Sequence, residues 1–171
     1  MTGIKTVRVF SYGSNMLTRR LKERAPSAKP IAVGQLDGHT LRWHKRGRMD
    51  GSGKCDVFAT GSEADCVHGV VFELTAADKP ALDRAEGLGR GYDEKTVEIV
   101  VEGARMPATV YYATDIDESL RPYHWYKALV VAGAREHGLP AEYVRKLEAV
   151  RSIADPDRRR ESTHTALLPS T

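Results

Sequence analysis

The chain has 171 residues and a mass of 18.9 kDa, with 41% hydrophobic and 29% charged residues and a formal net charge of +3. This length is typical of one globular domain, and the composition excludes a disordered chain. The longest apolar run, Ala128 to Ala134, is far shorter than the ~20 residues of a membrane span. The N-terminus lacks the basic-then-apolar layout of a signal peptide, so we expect a cytoplasmic protein.

Several elements are predicted in the first third of the chain. Residues 6–11 alternate between polar and apolar side chains and predict a strand. After the tetrapeptide YGSN, residues 16–26 have the spacing of an amphipathic helix that a proline ends. Short strands are predicted around residues 31–36 and 39–43, and the basic, glycine-rich residues 44–54 predict a loop.

The rest of the chain predicts further strands and a group of helices. A helix is expected from Asp78, its N-cap, to Gly87, where it stops. From residue 155 periodicity is lost, so residues 1–154 are predicted to form one domain and residues 155–171 a weakly ordered tail. Short strands with helices clustered at the ends predict an α+β fold with a curled or barrel-like sheet. The other predicted elements are strands 95–101 and 107–114 and helices 122–137 and 140–151.

The two cysteines are predicted to stay unpaired. Residues 55–60 and 66–74 read as strands of a hairpin joined by GSEAD, which places Cys55 opposite Val71. Cys66 is then too far along the partner strand, because the two α-carbons of a disulfide lie within ~7 Å. Reduced thiols also fit a cytosolic protein.

A second question is whether Cys66 forms a reactive pair with His68. The two share one face of a strand, as a thiol nucleophile and its base would, but a buried thiol beside a half-exposed imidazole is the favoured interpretation. The six histidines show neither an HxxxH spacing nor a cysteine-rich partner segment. The sequence therefore predicts no metal site.

The positive charge is concentrated in one segment. Residues 42–54 hold five basic residues against Asp50, a balance of +4, so the remaining residues sum to −1. Nucleic-acid binding favours a broader basic surface with interleaved aromatic side chains, and only Trp43 is nearby. We therefore interpret residues 42–54 as a solvated loop and do not predict binding to nucleic acid.

The first candidate site is the junction after the first strand, Tyr12-Gly13-Ser14-Asn15. Free N–H groups at the start of a helix bind a carboxylate or a developing oxyanion, and glycine permits close approach of a ligand. Ser14 and Asn15 add side-chain hydrogen bonds. The alternative is structural: Gly13 makes a turn, and Ser14 or Asn15 caps the helix.

The second candidate is Glu86, at the end of its predicted helix. The negative end of the helix dipole disfavours a carboxylate there, so from the sequence we expect its pKa to lie above the ~4.3 of free glutamate. A raised pKa suits a general acid/base. The following loop, GLGRGY, could bring Tyr92 beside Glu86. The alternative is a solvent-facing glutamate.

The two candidates occur in an order that resembles the γ-glutamylcyclotransferase family. The resemblance rests on YGSN after the first strand, APSA, HGVVFEL, LDRAEG followed by GY, and YKALVVAGAREHGLP. It runs from about Phe10 to Val150. It implies a small mixed β-barrel flanked by helices, in keeping with the strand pattern.

The resemblance also implies roles for individual residues. The YGSN loop, with Gly13, Ser14 and Asn15 after Tyr12, would hold the γ-glutamyl moiety, and Glu86 would be the catalytic general acid/base. Two further aromatic residues, Tyr92 and Tyr126, would contact the substrate. The products would be 5-oxoproline and a free amine, with no cofactor or metal required.

Several alternatives stay open. A non-catalytic member of the same scaffold would bind a small ligand or a protein, although the presence of Glu86 weighs against it. The leaving amine could be an amino acid, a lysine-type amine, the cysteinylglycine of glutathione or an aminoglycoside. Whether the protein is a homodimer is also open.

Overall fold

The computed structural model describes residues 3–170, which form seven strands and five α-helices. Five strands close into a barrel in the order β1-β5-β2-β6-β7, and β3 and β4 form a separate two-stranded sheet. The predicted α+β class with a barrel-like sheet is confirmed. The strands are β1 (Thr6–Ser11), β2 (Lys29–Asp37), β3 (His39–Arg46), β4 (Gly53–Ala59), β5 (Cys66–Thr75), β6 (Tyr92–Val101) and β7 (Ala104–Ala113). The helices are α1 (Thr18–Arg24), α2 (Lys79–Glu86), α3 (His124–Glu136), α4 (Ala141–Glu148) and α5 (Arg158–Thr165).

The barrel is antiparallel at every pairing except its closure, where β1 meets β7 in parallel at Val9 and Thr109. Strand β5 lies between β1 and β2 and is buried along most of its length, as a strand covered on both faces is. Among the described residues, no helix is long and apolar enough to cross a bilayer.

The predicted hairpin between residues 55–60 and 66–74 is wrong. Strand β4 pairs with β3, with Leu41 opposite Val57, while Val71 of β5 lies opposite Phe10 of β1. The reason is that both edges of the apolar strand β5 are taken by barrel strands, so β4 has to pair elsewhere. The segment GSEAD is therefore a connection between two sheets, and both cysteines are free thiols.

The tail after residue 154 also differs from the prediction, because it forms α5 and packs on α3. Buried Asp155 accepts hydrogen bonds from Trp125 Nε1 at 2.8 Å and from Arg160 Nε at 2.7 Å. The ring of His164 stacks on that of Trp125 with centroids 3.9 Å apart. Helix α5 buries none of its own residues, which is why periodicity missed it. The tail packs through one buried carboxylate, one stacked imidazole and Leu167, which lies in the core just after the helix.

The end of α3 holds the backbone that follows β1. A Cβ on Gly133 would lie 2.5 Å from Leu17 N, so only glycine lets the helix approach so closely. Glu136 Oε2 accepts hydrogen bonds from Thr18 N at 3.0 Å and Oγ1 at 2.7 Å, and so caps the start of α1. His137 Nε2 lies 2.9 Å from the carbonyl oxygen of Met16.

The approach of α3 to this backbone can be tested with Gly133→Ala. Helix propensity alone would favour alanine by about 1 kcal/mol. The clash with Leu17 predicts the opposite, a net loss of ~1–3 kcal/mol in the free energy of unfolding, as in other overpacked sites. Urea denaturation measures it. Gly3→Ala, where the added Cβ meets no atom within 4 Å, is the matched control and should leave stability unchanged. A stabilised Gly133→Ala would contradict the packing argument.

Packing of the tail can be tested with Asp155→Asn. Hydrogen bonds from Arg160 hold the pKa of Asp155 well below its ordinary value. The ionised Asp155 side chain therefore stabilises the fold fully at any pH above ~3.9, the pKa of an unfolded aspartate. Its contribution to the free energy of unfolding is lost as the pH falls below that value towards the pKa in the folded protein. We expect the variant to melt about 5 °C lower at pH 7 and pH 5, and the gap to wild type to narrow at pH 3. Thermal melts of the variant and of wild type across this pH range measure the difference in melting temperature. Equal melting temperatures at pH 7 would mean that packing of the tail does not depend on Asp155.

Candidate active site

The YGSN segment leaves the barrel at the end of β1 and lines a cavity. The sequence predicts that this segment lies at the start of a helix of residues 16–26. In the structure Ser14 to Met16 form one 3₁₀ turn, and α1 begins only at Thr18. Gly13 packs tightly, because an added Cβ would lie 3.1 Å from Cys55 Cβ and 3.3 Å from Tyr126 Oη. The N-cap positions of the 3₁₀ turn and of α1 are Gly13 and Leu17, and neither makes a side-chain cap hydrogen bond, so the capping interpretation of Ser14 and Asn15 does not fit.

Glu86 is the last residue of α2, as predicted. Gly87 follows in the left-handed conformation, with φ of 78°, and its N–H donates to the carbonyl of Asp83 at 3.0 Å. This turn directs the Glu86 side chain into the cavity that the YGSN segment lines. The carboxylate is only 14% exposed, so it is not the solvent-facing glutamate of the alternative interpretation.

The structure brings the two candidate segments into direct contact. Asn15 Nδ2 donates a hydrogen bond to Glu86 Oε1. Arg24 Nη1 lies 3.0 Å from Asn15 Oδ1 and 3.0 Å from the same Glu86 oxygen. A cation and an amide thus hold one oxygen of the carboxylate, which offsets the unfavourable position at a helix C-terminus.

Four tyrosines form the wall of this cavity: Tyr12, Tyr92, Tyr111 and Tyr126. Two of them are fixed by the backbone of Cys55, whose N–H donates to Tyr126 Oη at 3.0 Å and whose carbonyl accepts from Tyr92 Oη at 2.6 Å. Tyr12 Oη donates to the carbonyl of Tyr111 at 2.6 Å. Burial raises the pKa of Tyr12, Tyr92 and Tyr126 well above the ordinary value, so all three hydroxyls stay neutral.

Sequence reasoning missed three residues of the site. Arg24 gives no signal beyond its place in the predicted helix of residues 16–26, and only the fold brings its side chain to Asn15 and Glu86. The sequence suggests only a thiol at Cys55, whereas the backbone of this residue positions two tyrosines. Burial raises the pKa of the Cys55 thiol, so it is not a thiolate. Tyr111 gave no signal beyond its place in a predicted strand.

The Cys66–His68 pair lies outside this cavity. Cys66 Sγ is 3.8 Å from His68 Nε2, on one face of β5 as predicted. Burial raises the pKa of Cys66 and lowers that of His68, so both are driven towards neutral forms. The structural interpretation of this pair therefore stands.

A second, outer cavity of about 290 Å³ opens beside the first. The two share Ser14, Glu86, Tyr92 and Tyr126. The basic segment interpreted as a solvated loop contributes to it, because β3 and β4 extend further than predicted and leave only residues 47–52 outside them. Lys45 and Lys54 lie on these strands and line the outer cavity, together with Arg48 from the connection.

The chain matches known proteins over most of its length. The model of the AIG2-like family matches residues 66–147. A mouse protein named γ-glutamylcyclotransferase is 34% identical over 160 residues, which cover 85% of this chain and 79% of that protein. A human protein of the same name is 35% identical over 147 residues, covering 82% of this chain and 77% of that protein.

Solved structures agree with these sequence matches. A structure described as γ-glutamyl cyclotransferase superposes with a TM-score of 0.84 at 28% identity, covering 95% of this chain and 99% of the other. An uncharacterised human protein superposes with a TM-score of 0.83 at 29% identity, over 94% and 99% of the two chains. The chain belongs to the γ-glutamylcyclotransferase family and is an enzyme of that type.

Proposed function

We propose that this enzyme releases 5-oxoproline from γ-glutamyl amides, with Glu86 as the general acid/base that moves the protons. The contact between Glu86 and Asn15 carries this proposal, because it puts a carboxylate and the YGSN segment at one small cavity. The cavity wall supplies neutral hydroxyls and the YGSN segment supplies polar groups, a combination that suits a zwitterionic γ-glutamyl group.

The substrate contains both reacting groups, so no protein nucleophile is needed. Its α-amine attacks its own γ-carbonyl carbon, forming the five-membered ring, and the bond from that carbon to the amide nitrogen breaks. Holding the γ-glutamyl chain in a folded shape makes this step effectively unimolecular, which in well-oriented systems corresponds to an effective concentration of ~10⁵–10⁸ M. The tyrosine wall and the tightly packed Gly13 turn would impose that shape.

Glu86 would carry the protons between the two nitrogens. It takes one proton from the substrate ammonium before attack and donates it to the leaving nitrogen as the tetrahedral intermediate collapses. The attacking nitrogen, which becomes the ring nitrogen, then loses a second proton, and Glu86 passes that proton to the released amine. Glu86 is therefore ionised again at the end of the reaction. Asn15 and Arg24 both bind Oε1, which leaves Oε2 to face the substrate amine. Such proton transfer is worth ~10²–10⁴-fold in rate.

The remaining groups would bind charge on the substrate. We assign the N–H groups of Gly13 to Asn15 to the oxyanion of the intermediate or the substrate α-carboxylate, since preorganised N–H donors stabilise developing charge. Tyr126 and Tyr92 would orient the γ-glutamyl chain. This scheme requires no metal or cofactor, and the free thiols suit the reducing cytoplasm that we propose as its location.

The role of Glu86 can be tested with Glu86→Gln. Glutamine retains the oxygen that accepts from Asn15 and Arg24 but cannot take a proton at neutral pH. We expect kcat for 5-oxoproline release to fall by at least ~100-fold, or about 2.7 kcal/mol of barrier. Stability should stay within about 1 kcal/mol, because relief of charge at the helix C-terminus offsets loss of the partly exposed pair with Arg24.

Glu73→Gln is the matched control for this experiment. Glu73 is a half-exposed carboxylate on β5 that pairs weakly with Arg8 at 3.9 Å and does not line the cavity. It should retain full activity and stability. Near-normal 5-oxoproline release by Glu86→Gln would refute the assignment of the base, and a variant that loses activity only because it unfolds would show Glu86 to be structural.

A further inference from the structure

The outer cavity carries an excess of positive charge that the proposed reaction does not use. Six basic side chains line it against two carboxylates, Asp50 and Glu86. The γ-glutamyl group that would occupy the inner cavity is a zwitterion with no net charge. The six basic residues are Arg20, Arg24, Lys45, Arg48, Lys54 and Arg84.

Two of these cations are neutralised within the protein. Arg24 is bound to Glu86 at 3.0 Å. Lys54 Nζ lies 2.9 Å from Asp50 Oδ2 and 4.7 Å from the ring centres of Trp125 and Tyr126. Both carboxylates of the cavity are therefore already paired.

Arg20 is buried without such a pair. It is 7% exposed, and its Nε has no hydrogen-bond partner among the described residues. Within residues 3–170 its side chain makes one hydrogen bond, between Arg20 Nη1 and His164 Nδ1 at 3.2 Å. Burial lowers the pKa of Arg20 to about 10, so it is still a cation at neutral pH.

Lys45 is the second buried cation. The residue is 3% exposed, and its ammonium lies 4.4 Å from the centre of the Tyr92 ring. Burial lowers the pKa of Lys45, while Glu86 and Asp115 counteract this only through longer-range attraction. Among residues 3–170, no carboxylate lies within 4.0 Å of the charged group of Lys45 or of Arg20.

A buried charge that no carboxylate pairs lowers the stability of the folded protein. Apolar side chains of similar size in place of Arg20 and Lys45 would make the fold more stable, so stability does not explain why the two cations are present. Both side chains lie where the leaving half of a substrate must pass, since the outer cavity meets the inner one at Glu86 and Tyr92. Of the four cations that no carboxylate pairs, Arg48 and Arg84 are exposed to solvent, and the two buried ones match two anionic groups on that half. An amino acid supplies one as its α-carboxylate, so a second must come from its side chain.

We propose that the enzyme prefers γ-glutamyl substrates whose leaving amine carries a second anionic group, bound in the outer cavity by Lys45 and Arg20. This inference rests on the proposed function and narrows its substrate class. It disfavours lysine-type amines and aminoglycosides, whose positive charge would meet the unpaired cations at close range. Carboxylate and phosphate share the required chemistry.

The test compares substrates that differ only in charge on the leaving amine. γ-Glutamyl-glutamate is matched to γ-glutamyl-glutamine, an isostere with a neutral side chain, and γ-glutamyl-O-phosphoserine to γ-glutamyl-serine. The fifth substrate, ε-(γ-glutamyl)-lysine, carries an ammonium group on its leaving half. We expect kcat/KM for 5-oxoproline release to be at least ~10-fold higher for an acidic member than for its neutral match, as hydrogen bonds to charged groups imply. The pair with the larger ratio separates carboxylate from phosphate.

Variants locate the source of this preference. Lys45→Met and Arg20→Met keep an apolar stem and should reduce the acidic-to-neutral ratio towards one, without lowering the melting temperature. Arg46→Met is the matched control: Arg46 is adjacent in sequence but exposed and paired with Asp117 at 2.9 Å, so the ratio should be unchanged. An acidic-to-neutral ratio near one in wild type, or a ratio that survives in both cavity variants, would overturn the inference.

The two proposals fail in different ways. Turnover of γ-glutamyl-glutamine at a rate equal to that of the acidic member refutes the inference and leaves the function intact. Release of 5-oxoproline from none of the five substrates refutes the function. Calorimetric binding of γ-glutamyl-glutamate against γ-glutamyl-glutamine then still decides the inference, because tighter binding of the acidic member supports it and equal binding overturns it.

Discussion

The proposed active site depends on one contact, in which Asn15 and Arg24 hold the carboxylate of Glu86. A carboxylate at a helix C-terminus faces the negative end of the helix dipole, so α2 by itself would direct Glu86 to solvent. The amide and the guanidinium offset that penalty and fix the rotamer, at the cost of tying β1, α1 and α2 together. The contact joins residues 71 positions apart and therefore depends on tertiary structure, namely the pairing of β1 with β5, the strands that precede the two segments.

The backbone that presents Asn15 is held in turn by the end of α3. Gly133 permits the close approach, Glu136 caps α1 and His137 contacts the carbonyl of Met16. The sequence GAREHGLP resembled a family signature without showing a chemical purpose. In the structure these side chains do not line the inner cavity but hold the turn that does. A positioning role of this kind has no local sequence signal, since it depends on contacts over more than a hundred residues.

Local rules predicted well where a single residue decides the geometry. Gly87 and Gly138 both take the left-handed conformation expected at helix ends, and α2 ends where the dipole argument for Glu86 requires. Prediction failed where more than two strands could pair with the same strand. The hairpin of residues 55–60 and 66–74 was plausible locally, but β5 was paired by β1 and β2. The structure places all the predicted site residues at one cavity, whereas Arg24 and the backbone of Cys55 could be recognised only from the tertiary structure.

The tail and the outer cavity are connected through His164. Its ring is held flat against Trp125 by α5, which Asp155 and Arg160 anchor. Burial and the neighbouring Arg20 lower the pKa of His164 to about 4, so the ring is neutral at physiological pH and its Nδ1 can accept from Arg20. A charged imidazole there would add a third unpaired cation beside Arg20 and Lys45. The polar tail therefore does more than cover the helix: it supplies the neutral acceptor that lets a buried arginine remain in the cavity wall.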